Sequence, residues 1–266
     1  MEELDQAALD LLESVMEEQH KEIPENNKSY IVSDTTSRFS GALWYEKMQK
    51  QNIILAGVGG IGSWLALLLA RMNVKSLTLY DPDFVEEVNM AGQLYSSSNI
   101  GGSKVQSIIS TIHNYARYYQ TNAISRVYDD GCIPGPIMIC GFDNMAARKI
   151  FFKNWLTYVS NSSEKDKCLF IDGRLNAEEF QVLAITGDND AAIKEYREKW
   201  LFDDSEVEEA VCSYKQTTFM SNMIASVMAN IFVNHVANMC NPIFPRDVPF
   251  FTAYSADTMY TNTIVL

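Results

Sequence analysis

The chain has 266 residues, with 34 acidic and 21 basic side chains and a formal charge of −13. Apolar residues make up 47% and charged residues 21%, an ordinary globular composition at a length that supports a large core and argues against disorder. The acidity sits in two segments, 1–28 and 186–210, and the rest of the chain is neutral, so there is no basic stripe to neutralise the phosphates of a nucleic-acid duplex.

Residues 2–22 read as an amphipathic helix, with Leu4, Ala8, Leu11, Leu12, Val15 and Met16 on one stripe. Pro24 and the cluster Glu25-Asn26-Asn27-Lys28 end it, so 1–28 is expected to be an acidic helical arm ahead of one domain over 29–266. The N-terminus has no basic n-region, so no signal peptide is expected and the expected location is cytoplasmic. A short helix is predicted over 42–50. Asn52-Ile53-Ile54-Leu55-Ala56 then reads as a strand, Gly57-Val58-Gly59-Gly60-Ile61-Gly62 as a glycine-rich turn, 63–72 as an apolar helix and 76–81 as a second strand. That is one βαβ unit.

The alternation continues with a helix over 103–119, strands at 123–128 and 137–140, a helix over 143–160 and a strand over 168–172. The implied fold is α/β, a Rossmann-like, mainly parallel sheet with helices on both faces. After Gly173 the pattern changes. Strands are predicted at 180–185, 250–254 and 259–266, pairing antiparallel, with an acidic crossover at 186–213 and a long helix over 214–240. The charge-free stretch from Phe219 to Cys240 is long enough to span a bilayer, but Ser221, Asn222, Ser226, Asn230, Asn234 and Asn238 make that costly, so no membrane partner is expected. Five cysteines without a C-x-x-C pair argue against a zinc site and fit a reducing compartment.

In the glycine-rich turn, Gly57 permits the tight turn, Gly59 lets a phosphate approach the backbone and Gly62 lets helix and strand pack closely. Phosphates then meet the free N–H groups of the helix N-terminus, and Asp81 is placed to accept hydrogen bonds from ribose hydroxyls. This motif does not by itself separate NAD from ATP.

The residues that follow the turn narrow the choice. Gly57-Val58-Gly59-Gly60-Ile61-Gly62-Ser63, Asp81-Pro82-Asp83-Phe84-Val85, Asn89 with Gln93, Gly102-Ser103-Lys104, and Asp143-Asn144-Met145-Ala146-Ala147-Arg148 stand in one order. In these motifs the chain resembles the ThiF/MoeB/HesA family, E1-like enzymes that adenylate the C-terminus of a ubiquitin-like protein or peptide. The resemblance implies ATP bound by Gly57, Gly59, Gly60, Gly62, Asp81, Asp83, Asn89, Gln93 and Lys104. It implies Mg2+ on Asp143, a β-grasp protein or peptide with a free C-terminus as partner, and a homodimer. It further implies a catalytic arginine upstream of the turn, matched by Arg38, delivered from the partner subunit. Cys212 falls where family members carry a thioester or persulfide. One departure is plain: the family pattern has an arginine where this chain has Gly92.

Several residues keep two readings at this stage. Asp143 either holds a metal or caps the helix that it precedes. Cys212 is either a covalent carrier or a buried, inert thiol, and Glu208 and Glu209 beside it would raise its pKa. Asp172-Gly173-Arg174 either lines a groove or makes a turn with a local ion pair, the turn being favoured. Lys104 at a helix start opposes the helix dipole, which an anion close by would explain. The every-fourth-residue stripe from Asn222 to Asn238 is either a polar seam on a core helix or a subunit interface. The functional alternatives are an NAD-dependent Rossmann enzyme or an E1-like scaffold that binds nucleotide or partner.

Overall fold

The computed structural model describes residues 34–202 and 216–266. The arm at 1–28, Cys212 and the later part of the acidic crossover lie outside the described residues. A one-turn helix, α1 (Tyr45–Met48), leads into β1 (Asn52–Ala56), α2 (Gly60–Arg71), β2 (Ser76–Tyr80), α3 (Lys104–Ala116) and β3 (Thr121–Ile124). There follow β4 (Ile137–Cys140), α4 (Met145–Asn161), β5 (Leu169–Asn176), β6 (Glu179–Thr186), α5 (Asp190–Glu195), α6 (Thr218–Asn238), β7 (Phe251–Ser255) and β8 (Tyr260–Ile264). The eight strands form one sheet in the order β3-β2-β1-β4-β5-β6-β7-β8. Pairing is parallel from β3 to β5 and antiparallel from β5 to β8. The α/β sheet with antiparallel C-terminal strands is the fold that the hydrophobic pattern predicts.

Alternate residues of the central strands supply two cores. Ile53 and Leu55 of β1, Ile137 and Ile139 of β4, and Val182 of β6 face α2, α3 and α6 through Leu65, Ile108 and Ile224. Ala56, Met138, Cys140, Phe170 and Leu183 face the opposite way, onto Phe151, Phe152 and Trp155 of α4 and onto Tyr196. The second core is aromatic: Phe152 meets Tyr196 edge-on at 4.6 Å and Phe170 edge-on at 5.1 Å. Each such pair adds about 0.5–1.5 kcal/mol beyond area burial. On the other face α6 lies close on β5, since a β-carbon at Gly173 would come within 2.6 Å of Met228 Sδ.

Element bounds differ from the sequence expectation for local reasons. α2 starts at Gly60, not Ser63, because the glycine turn itself supplies the first helical turn, with Ser63 N–H donating to Gly59 O at 3.1 Å. α3 stops at Ala116 because Arg117 turns left-handed at φ 51°. α6 starts at Thr218 because Thr217 is extended. β3 occupies 121–124, in register with Leu77–Tyr80 of β2, and Tyr128 leaves the sheet to pack edge-on against Phe151. Asp172-Gly173-Arg174 is not a turn: β5 runs through it to Asn176 and pairs along its length with β6. No helix among the described residues is long and apolar enough to cross a membrane.

From β1 the chain passes to β2 on one side, while β4 lies on the other. The crevice outside the C-terminal ends of β1 and β4 is therefore the topological switch point, where open α/β sheets bind ligands.

Candidate functional site

The floor of this crevice is the glycine turn. Gly57 sits at φ +82°, a left-handed conformation that side chains disfavour, and its N–H donates to Tyr80 O at 2.8 Å. A β-carbon on Gly62 would lie 1.8 Å from Gly57 O, so that position admits only glycine without backbone movement. Gly59 is the N-cap of α2 and has no side chain with which to cap it, so the first-turn N–H groups open toward the crevice. At this opening lie two buried polar side chains that each have an atom with no hydrogen-bond partner among the described residues, Gln93 Oε1 and Ser221 Oγ. Gln93 reaches Gly59, with Nε2 3.9 Å from the β-carbon position there, and Ser221 Oγ lies 3.3 Å from that of Gly60. Orphaned buried donors and acceptors are rare in folded proteins and mark a polar ligand or a functional strain.

The wall after β2 carries Asp81 and Asp83. Asp81 is buried and accepts from Val58 N–H at 2.8 Å and Asp83 N–H at 2.9 Å, tying the glycine turn to the end of β2. Burial pushes its carboxyl above the usual range, and those two N–H groups work against the rise. Asp83, largely exposed, pairs with Lys104 Nζ at 2.8 Å, so the anion that offsets this helix-start cation against the dipole comes from the same chain. Tyr95 braces the pair of segments by donating to Val58 O at 2.6 Å. Asn89 accepts from Glu86 N–H at 2.9 Å within a capping box, holding the 3-10 turn Glu87–Ala91 in front of the crevice.

Opposite lies the end of β4. Gly141 N–H donates to Ala56 O at 3.1 Å, which sets residues 141–143 beside the glycine turn. Asn144, not Asp143, caps α4, accepting from Ala147 N–H at 2.8 Å. The cap reading of Asp143 is thereby corrected, and its carboxylate stands exposed ahead of the helix. Arg148 fixes this turn from behind, donating to Phe142 O at 2.5 Å, Asn144 O at 3.4 Å and the fully buried Asp172 at 2.9 Å. Asp172 also accepts from Arg174 at 2.8 Å and from Tyr196 OH at 3.0 Å. Burial raises its carboxyl pKa, but the two guanidiniums outweigh that and hold it below the ordinary value. The motif Asp143 to Arg148 thus carries a turn and its own anchor. The local ion pair expected between Asp172 and Arg174 is present at 2.8 Å, within a strand and not a turn, while nothing in composition or spacing signals that Arg148 joins it.

Arg38 is exposed and is not brought to these residues within the chain. It precedes α1, whose surroundings pack at the far end of α6: Cys240 Sγ meets Leu43 O and Gln51 meets Met239 Sδ. α6 is about 30 Å long at 1.5 Å per residue, and its other end is the crevice. The polar stripe on α6 divides. Asn234 and Asn238 hold the backbone of Asp247 and Arg246, while Ser226 and Asn230 face outward, a polar seam on a helix whose other faces are core.

These features suit a nucleotide: a helix N-terminus with the orphaned Ser221 hydroxyl to donate to phosphates, and carboxylates at the strand ends. Among the described residues no group of three or more His, Cys, Asp or Glu side chains could hold a metal by itself. Asp143 therefore fits magnesium only as one oxygen ligand completing a shell of phosphate oxygens and water, the way this ion is usually held.

Comparison with known proteins agrees with the geometry. The ThiF family model matches residues 33–242. Ubiquitin-like modifier-activating enzyme 5 of Drosophila persimilis is 26% identical over 181 residues, 62% of this chain and 45% of that protein. The corresponding enzyme of Gallus gallus is 39% identical over 70 residues, 26% of this chain and 18% of its own. The chain thus spans less than half the length of these curated relatives. In fold it is similar to PaaA, with a TM-score of 0.70 at 15% identity, covering 98% of this chain and 83% of that one. It is similar also to Escherichia coli MccB, solved with AMPCPP and MccA, with a TM-score of 0.67 at 15% identity, covering 98% and 78%. Since the matched region takes in the glycine turn, the carboxylates of β2 and the Asp143–Arg148 turn, the chain belongs to the ThiF family.

Proposed function

We propose that this protein uses Mg-ATP to adenylate the C-terminal carboxylate of a small ubiquitin-like protein or peptide. The observation that carries the reading is the convergence at one switch point of an uncapped helix N-terminus beside the unpartnered, buried Ser221 hydroxyl and a carboxylate, Asp143, that takes no part in capping. Family membership, relatives that activate ubiquitin-like modifiers and a fold shared with MccB support it.

In this reading the phosphates lie over Gly59–Gly62, with Gln93 and Asn89 on their flank. Asp81 and Asp83, at the end of β2, take the ribose. Lys104 supplies positive charge from its pair with Asp83. Magnesium, held in part by Asp143, would draw charge off the phosphate oxygens. The partner's carboxylate oxygen attacks the α-phosphorus, the bond to the bridging oxygen breaks, and pyrophosphate leaves with that electron pair. A carboxylate is already ionised at neutral pH, so no general base is required and catalysis rests on positioning and charge stabilisation. Arg38 is assigned to the site of a partner subunit in a homodimer, since its own crevice lies at the other end of α6. Cys212 would be the later acceptor of the activated carboxyl.

The test is intact-mass detection of an adenylate on candidate acceptors incubated with the protein and Mg-ATP. Adducts on free C-termini and none on amidated ones are expected. Binding of ATP with no adduct on any acceptor would favour a nucleotide-binding scaffold, and preferential binding of NAD would refute the reading.

A further inference from the structure

A glutamine far away in sequence occupies the space that two glycines leave at the phosphate end of the crevice. A β-carbon on Gly60 would fall 1.8 Å from Gln216 Oε1 and 2.9 Å from its Cδ. One on Gly92 would fall 2.9 Å from Gln216 Cδ and Cγ and 3.1 Å from Nε2. The amide therefore spans from the first turn of α2 to Gly92, and any side chain at position 92 would displace it. Its segment is fastened on both sides. Gln216 bridges to Ala177 beyond the end of β5, Thr218 donates to Ala91 O, and Trp64 Nε1 donates to Gly92 O at 3.1 Å. Gly92 is itself buried, so this is a fitted contact and not a surface side chain folded down.

Two polar atoms at the same helix opening have nothing to bond among the described residues. Gln93 Oε1 and Ser221 Oγ are both at least nine-tenths buried, and both lie at the same helix opening. An uncapped helix N-terminus, the unsatisfied hydroxyl of Ser221, which can donate, and the Gln216 amide, whose Nε2 can donate, form an anion cradle with neutral walls, while Gln93 Oε1 can only accept and takes no part in holding an anion. Neutral donors in a water-poor site bind phosphate through hydrogen bonds and the helix dipole, without the strong salt dependence of a guanidinium.

Resting on the adenylation reading above, we propose that Gln216, seated through Gly60 and Gly92 and flanked by Ser221, contacts the triphosphate of bound ATP. A neutral amide thus takes the position left without a cation at Gly92. The glycine at 92 is then not a loss of function but the space that Gln216 requires.

The test is equilibrium binding of Mg-ATP and of adenosine to the full chain and its variants. Wild type should bind ATP more tightly than adenosine. Gln216→Ala should weaken ATP about fivefold, the value of one neutral hydrogen bond, and leave adenosine unchanged. The isosteric Gln216→Glu, which sets a carboxylate against the phosphates, should weaken ATP by more than about tenfold, again sparing adenosine. Gly92→Arg combined with Gln216→Gly should restore ATP binding with a steeper salt dependence. Should the alanine variant fold poorly, the wild-type protein still decides: the Gln216 side-chain amide resonance should shift with ATP and not with adenosine. ATP preference in wild type with indifferent Gln216 variants, equal losses for ATP and adenosine, or an unmoved amide resonance would overturn this proposal alone. No ATP preference in wild type would overturn both it and the adenylation reading.

Discussion

Asn144 takes the N-cap of α4 through a 2.8 Å bond from Ala147 N–H, and the carboxylate of Asp143, one residue earlier, takes no part in the cap. Asn144 Nδ2 in turn donates to Asp143 Oδ1 at 3.1 Å. Of two adjacent residues that each could cap a helix, Asn144 does so and Asp143 stands exposed ahead of it. The division follows from where β4 ends and α4 begins. Asn144 has the extended backbone of an N-cap, φ −134° and ψ 152°.

A pair of single substitutions separates the two residues. Asn144→Ala should cost about 1 kcal/mol of stability in urea unfolding, the usual loss for a cap. Asp143→Ala, exposed and uninvolved in capping, should stay within about 0.5 kcal/mol of wild type while ATP-dependent activity collapses. An Asp143 variant as unstable as the Asn144 one would show that the carboxylate belongs to the fold.

Arg148 should be among the least replaceable residues of the chain. Arg148→Met strips a partner from the fully buried Asp172 and frees the carbonyls of Phe142 and Asn144. Breaking a buried pair on one side costs about 3–5 kcal/mol. Arg148→Lys should recover little of this, because an ammonium cannot fork between a carboxylate and two carbonyls. A midpoint in urea close to wild type for Arg148→Met would contradict the assigned anchor.

Much of this site could be read in the sequence because it is local. The glycine turn, Asp81 to Asp83 and Asp143 each lie within a few residues of a strand end, so strand prediction puts them at one crevice, and Lys104 joins them only through the family resemblance. What could not be read depends on contacts between distant segments. Gln216 meets Gly60 and Gly92 only because the start of α6 is laid across the mouth of α2, and no local pattern records that crossing. Asp172 looked like a turn residue because Asp-Gly is a turn signal, yet its partners, Arg148 and Tyr196, come from α4 and from the stretch after α5 and hold it in a continuous strand. Likewise the choice of Asn144 over Asp143 as cap is a matter of one residue of register, below the resolution of hydrophobic periodicity.

Acid should destabilise the fold through His235. This imidazole is buried on α6 with Nε2 3.3 Å from Lys167 O, and burial first of all holds its pKa below the ordinary 6.5. Below pH 6.5 the unfolded chain takes up this proton before the folded one does, so stability should fall as pH drops from about 6.5 through the folded pKa, by at most about 1.4 kcal/mol per unit. Above pH 6.5 this group makes no contribution to the slope. Urea titrations from pH 7.5 to 5 should show the decline in wild type and a shallower one in His235→Gln. Parallel slopes would remove His235 from the account.

Gly62→Ala should disable the nucleotide turn. The new methyl would meet Gly57 O at 1.8 Å, and relief requires α2 and β1 to separate at the point where phosphates are proposed to bind. Overpacking of this kind costs about 1–3 kcal/mol. ATP affinity, measured by equilibrium binding, should fall by more than stability does at the assay temperature. Unaltered ATP binding would mean that the phosphates do not sit on this turn.

We propose that the acidic segment 186–210 guides a basic partner tail, on the strength of its excess of acidic side chains. Neutralising Asp203, Asp204, Glu206, Glu208 and Glu209 together should raise the Michaelis constant for the partner, and the wild-type advantage should fade with added salt. Equal constants in low salt would dismiss the steering role without touching the chemistry.

The central claim is that a carboxylate is activated by adenylation at the Asp143 crevice, and ATP–pyrophosphate exchange measures that step alone. The exchange should appear with acceptors bearing a free C-terminal carboxylate and vanish when that carboxylate is amidated. In Asp143→Ala it should drop by about a hundredfold or more. Exchange at the wild-type rate in the Asp143→Ala protein, or exchange that persists with an amidated acceptor, would contradict the account.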